Sequence, residues 1–131
     1  MNRLVAVGLL VHVLHVVEEW LTGFHVLFPR RMDLTPWPTA VFLGFNLAWL
    51  ITWSACIPAL RARCRLALAP LWFLGLGAAI NGVAHPALAW LAGGYFPGLI
   101  SAPLVGVLGV LLLRALATAT ADLSEPGPLP A

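Results

Sequence analysis

Hydrophobic residues in this chain are not alternated with polar ones but gathered into four long blocks, separated by short stretches of Pro, Gly and Arg. Each block is about 20 residues or slightly longer, enough for an α-helix to cross a hydrocarbon core of about 30 Å. The blocks predict helices over about residues 4–27, 39–57, 66–91 and 99–117. Pro29-Arg30-Arg31 ends the first and Pro58 closes the second, because proline cannot continue a helix and arginine marks the membrane interface. Cys64 and Arg65 lead into the third, and Gly93-Gly94-Tyr95-Phe96-Pro97-Gly98 turns the chain into the fourth. The expected fold is all-α: a four-helix transmembrane bundle over residues 1–117, followed by an Ala/Thr/Pro-rich tail over residues 118–131 that predicts disorder.

Composition sharpens this picture. Of 131 residues, 61 % are hydrophobic and 9 % charged, against about 25 % charged in a soluble domain. The chain is therefore expected to be an integral membrane protein. Its net charge of +2 comes entirely from arginine and provides no basic surface for nucleic acid. With four spans both termini share one side with Arg3, Arg61, Arg63, Arg65 and Arg114, while Arg30 and Arg31 lie opposite. The positive-inside rule then places both termini in the cytoplasm, and the chain as a multi-pass protein of the cytoplasmic membrane. The start imitates a signal peptide, but polar interruptions and the lack of a cleavage site read as an uncleaved first helix. Cys56 and Cys64 lack metal-ligand spacing and read as apolar fillers.

The exceptions to the hydrophobic pattern carry the chemistry. A charged residue at the centre of a membrane helix costs about 3 kcal/mol on insertion scales, so such residues mark function by default. The first block contains His15, Glu18 and Glu19, and an ideal helix puts Glu18 about 60° to one side of His15 and Glu19 about 40° to the other. His12 and Thr22 extend this polar face. In the third block Asn81 and His85 are four residues apart and share a face, with Pro86 expected to kink the helix beside them. Asn46 in the second block reads as an interhelical hydrogen bond. Glu18, Glu19, Asn81, His85 and Tyr95 all fall in the outer half of the membrane, which points to a single site.

His15-Val16-Val17-Glu18-Glu19, Asn81-Gly82-Val83-Ala84-His85 and Tyr95-Phe96-Pro97-Gly98 resemble, in order, the three motifs of the HXXEE family of small integral membrane proteins. The resemblance covers the chain from the first helix to the start of the fourth. It implies no defined activity, since the family's function is unknown, but its polar motifs imply an enzymatic role. It marks His15, Glu18, Glu19, Asn81, His85, Tyr95, Pro97 and Gly98 as positions of interest. His12 and His25 are outside the motifs.

Three functions fit these residues. In the first, His15, Glu19 and His85, with Glu18 as a fourth ligand or a general base, bind a divalent metal such as Zn, Fe or Mn. The chain would then be a membrane enzyme of hydrolase or oxidoreductase type, acting on a lipophilic small molecule that enters from membrane lipid. Asn81 would support the centre and Tyr95 would bind the polar end of the substrate. The second is metal-free: two adjacent buried carboxylates should not both ionise, so a protonated Glu would act as the general acid of an isomerase or cyclase, with His as its partner. In the third, the chain is a proton or ion path, a homo-oligomeric channel or an accessory subunit.

Overall fold

A computed structural model of the chain describes residues 1–122. The described residues form five α-helices: α1 (Asn2–Leu21), α2 (Phe24–Arg31), α3 (Thr39–Arg61), α4 (Leu68–Ala92, preceded by a 3₁₀ turn) and α5 (Ala102–Asp122). Four of them, all but α2, are long and apolar enough to cross a membrane. The described residues are thus all-helical, with four candidate membrane spans at the four expected blocks, as in a membrane protein.

The helix boundaries depart from expectation at four places, each with a local cause. The first helix stops at Leu21 instead of running to residue 27. Gly23 adopts a left-handed φ of +82°, open to glycine at little cost, and the Thr22 hydroxyl donates back to the Glu18 carbonyl at 2.6 Å. The chain then restarts as α2, so that Arg30 and Arg31 are helical rather than in a loop. Pro29 lies inside α2 and cannot donate to the His25 carbonyl; the Trp37 amide donates there instead at 2.9 Å, folding the following loop back onto the helix.

Pro58 does not close α3, which continues one turn to Arg61 because the Pro58 carbonyl still accepts from the Ala62 amide at 3.0 Å. The last helix is displaced toward the C-terminus. Residues 98–101 form a turn rather than its first turn, Pro103 occupies its start, and Thr118 and Thr120 donate to the Arg114 and Leu116 carbonyls within the helix. Residues 118–122 are therefore helical and not tail; the rest of the expected tail lies outside the described residues. Pro86 sits inside an unbroken α4.

The bundle is layered along its axis. Near the termini, Val5, Leu9, Trp53, Leu71, Leu112 and Leu116 form the main apolar core. In the middle, glycines bring α4 and α5 into backbone contact: a Cβ on Gly106 would stand 2.6 Å from the Gly82 Cα, and one on Gly109 would stand 2.5 Å from the Ala79 amide nitrogen. This is the small-residue packing available to helices in lipid, where no hydrophobic force drives their association. Beyond that layer, away from the termini, lie the histidines and carboxylates. α3 is the most peripheral span, with 17 % of its apolar window buried against 39 % for α1. Cys56 is buried, Cys64 is exposed, and both are free thiols.

Gly106→Ala is expected to destabilise the protein by about 1–3 kcal/mol through overpacking. Gly77→Ala, where a Cβ would meet nothing within 4 Å, is the matched control, and unfolding midpoints in detergent compare the two.

Candidate functional site

The adjacent carboxylates of α1 have opposite surroundings. Glu18 reaches across to the loop between α4 and α5, where four donors hold its two oxygens. The Tyr95 hydroxyl and the Ile100 amide donate to Oε1 at 2.8 and 2.9 Å. The Ser101 amide and hydroxyl donate to Oε2 at 2.9 and 2.5 Å. Glu18 thus carries the fixed negative charge at the start of α5, where a helix N-terminus favours an anion. Desolvation, and then its donation to Glu18, push the Tyr95 phenol above its usual range.

Glu19 turns the other way, into the bundle. Its Oε1 stands 3.6 Å from His15 Nε2 and 3.3 Å from His85 Nε2. His15, Glu19 and His85 are all buried, and one ligand atom from each lies within 4.8 Å of the others. Glu18 is not in this group, which corrects the expectation of a fourth ligand: a carboxylate with four donors on its oxygens has no lone pair aimed at the histidines.

The far side of each imidazole sets its orientation. Ser101 Oγ gives its proton to Glu18, so at 2.7 Å from His15 Nδ1 it accepts, and His15 carries its hydrogen on Nδ1. His85 Nδ1 lies 2.6 Å from the Pro97 carbonyl, which can only accept, so His85 also carries its hydrogen on Nδ1. Both Nε2 lone pairs are left facing Glu19, and His15 Nε2 is buried without a hydrogen-bond partner. The two rings meet edge to face with centroids 4.8 Å apart.

The loop motif now has a physical reading. Tyr95 anchors Glu18, the Pro97 carbonyl orients His85, and Gly98 makes room for both rings. Its φ is +85°, and a Cβ there would lie 2.5 Å from His85 Nδ1 and 2.9 Å from His15 Cε1. Ser101, which links His15 to Glu18, was not anticipated as a site residue. The available signal was a serine just ahead of a helix start, a favoured N-cap position. His25 is apart from the centre and pairs through Nε2 with Thr39 Oγ1 at 3.1 Å.

Asn81 does not touch the histidines. It lines a cavity of about 480 Å³ between α2, α3 and α4, together with Glu19 and Asn46, and makes no hydrogen bond with another described residue. Phe24, Phe28, Trp37, Val41, Phe42 and Phe45 form the rest of its wall. Asn46 is not an interhelical bridge: its Nδ2 donates to the Phe42 carbonyl of its own helix at 2.9 Å.

Gly98→Ala is expected to cost about 1 kcal/mol or more for its backbone conformation alone, and more for the displaced rings. A lowered unfolding midpoint, with altered imidazole signals in NMR spectra, checks it.

No curated protein and no solved structure matches the chain. A family model described as a protein of unknown function with HXXEE motif matches residues 6–113. These residues include every group that forms the site, and the chain belongs to the HXXEE family.

Proposed function

We propose that the chain is a membrane-embedded enzyme in which His15, Glu19 and His85 bind a divalent transition metal, Zn, Fe or Mn, beside a cavity for a lipophilic substrate. The observation that carries this reading is the convergence of two Nε2 lone pairs and a carboxylate oxygen on one buried point. Three acceptors facing one another repel unless a cation or a proton lies among them. Ligands about 2.0–2.1 Å from a tetrahedral ion stand about 3.3 Å apart, and the separations to Glu19 are 3.3 and 3.6 Å. The Nδ1 partners, a serine–carboxylate pair and a backbone carbonyl, are of the kind that hold metal-binding histidines in orientation.

When bound, such an ion supplies Lewis acidity toward a substrate oxygen or, as iron, redox chemistry. The chain's own residues do the rest. Glu18, Ser101 and the Pro97 carbonyl keep both imidazoles in the tautomer that binds. Asn81 presents a free amide to the cavity, where it can orient a substrate oxygen. The aromatic wall excludes water, and its position between the peripheral α3 and α4 supports entry from lipid. The arginine distribution supports a multi-pass topology in the cytoplasmic membrane, both termini cytoplasmic and the site in the outer half.

A second reading rests on the 3.3 Å distance between His85 Nε2 and Glu19 Oε1. With the negative charge held on Glu18 by four donors, Glu19 is placed to carry a proton toward His85 and to act as the general acid of an isomerase or cyclase.

Metal analysis of detergent-purified protein separates the two. About one equivalent of metal is expected in the wild type, with loss in His15→Ala, His85→Ala and Glu19→Gln. Ser101→Ala is expected to weaken metal affinity about 10–100-fold. A well-folded wild type that takes up no Zn, Fe or Mn would remove the metal reading and leave the second.

A further inference from the structure

His12 lies two turns before Glu19 on the same face of α1 and has no part in the centre described above. It is buried, with 9 % of its surface exposed. Its Nδ1 is enclosed without a hydrogen-bond partner, and neither ring nitrogen bonds to another described residue. Its ring contacts are with Trp53, edge to face at 5.0 Å, and more distantly with His15. An imidazole enclosed in this way loses its hydrogen bonds to water without replacement, which is unfavourable. Nε2 is not enclosed in this way, so a partner from outside the protein can bond there and offset part of that cost.

The space for one is present. His12 lines a second cavity of about 160 Å³, which shares Glu19, Phe45, Asn46 and Asn81 with the larger one. The two therefore form one groove between α3 and α4, which extends along α3 from Val41 to Trp53, about 18 Å at the rise of a helix. Its mouth is aromatic, its middle holds Glu19 with the two asparagines, and its deep end holds His12. Among the described residues that line it there is no arginine and no lysine. The groove thus has hydrogen-bonding groups at two depths, about 10 Å apart along α1, and no side-chain cation to neutralise an anionic headgroup.

We infer that His12 is the deep anchor of the substrate site and binds a neutral hydroxyl or carbonyl group of a long-chain lipid that lies along the α3–α4 groove past Glu19. This rests on the proposed function for what the centre does to that lipid, but not for binding itself. The accessible Nε2 donates to a carbonyl in one tautomer and accepts from a hydroxyl in the other. A carboxylate or phosphate head at His12 would find no arginine or lysine in the lining of the groove to compensate its charge.

The test uses dibrominated octadecanol, octadecanoate and octadecane as probes, since bromine quenches tryptophan and Trp37, Trp49 and Trp53 line the groove. Titrated into the purified full chain, the alcohol is expected to quench saturably at a concentration about tenfold or more below that of the acid or the plain hydrocarbon. His12→Leu is expected to abolish this preference, with the metal content unchanged, and His12→Gln to retain most of it. The inference is overturned if the acid binds as tightly as the alcohol, if no probe quenches saturably, or if folded His12→Leu keeps the preference. Should His12→Leu not fold, the ranking of the three probes on wild type decides. Metal analysis of the same preparation reports on the centre separately: metal-free protein that still prefers the alcohol retains the His12 subsite and loses the metal reading.

Discussion

The four hydrogen bonds to Glu18 are the constraint on which the rest of the site depends. A carboxylate within an apolar span is tolerated only when its oxygens are satisfied, and here the donors come from a loop far away in sequence. Meeting that need draws residues 95–101 over the end of α1. Ser101 is thereby placed on His15, the Pro97 carbonyl on His85, and Gly98 between the two rings. The arrangement of the buried group follows from the anchoring of the half-buried Glu18. Adjacent carboxylates thus take separate tasks: Glu18 ties the loop, which leaves Glu19 free to face the histidines.

The same division appears along the bundle axis. Leucines and valines near the termini, with the interlocked glycines of α4 and α5, give a rigid apolar half. The opposite half gives up close packing in favour of polar groups and the groove beside α3. α3 is fixed to α4 at the apolar end, where the Trp53 indole donates to the Pro70 carbonyl at 3.0 Å. At the other end Arg31 bonds the Leu91 carbonyl at 2.5 Å and ties α2 to α4. Between these two attachments lie the cavities that Glu19 and Asn81 line.

Much of this was legible in the sequence, because in lipid hydropathy alone sets the spans and makes every ionisable residue conspicuous. His15, Glu19 and His85 stood out for that reason and converge as expected. What periodicity could not show were features fixed by single dihedrals or by distant partners. The break at Gly23 depends on a left-handed φ inside an apolar run. Ser101 looks like an ordinary polar residue at a helix start until Glu18 reaches it from 83 positions away. The split between Glu18 and Glu19 was equally hidden: both lie within about 60° of His15 on the helix, and only the loop decides which one turns inward. Asn46 bridges no helices because an asparagine can satisfy its amide within its own helix.

Gly98 packs directly against both imidazoles, so the loop and the centre cannot be formed independently. By mass action, any occupant that needs both rings in place stabilises the closed loop by RT ln(1 + [L]/Kd), about 2.7 kcal/mol at a hundredfold excess over Kd. The turn at residues 95–101, between two candidate spans, would therefore be a gauge of the interior: were the centre to take a ligand, the resistance of this turn to protease or to amide exchange would rise and fall with occupancy.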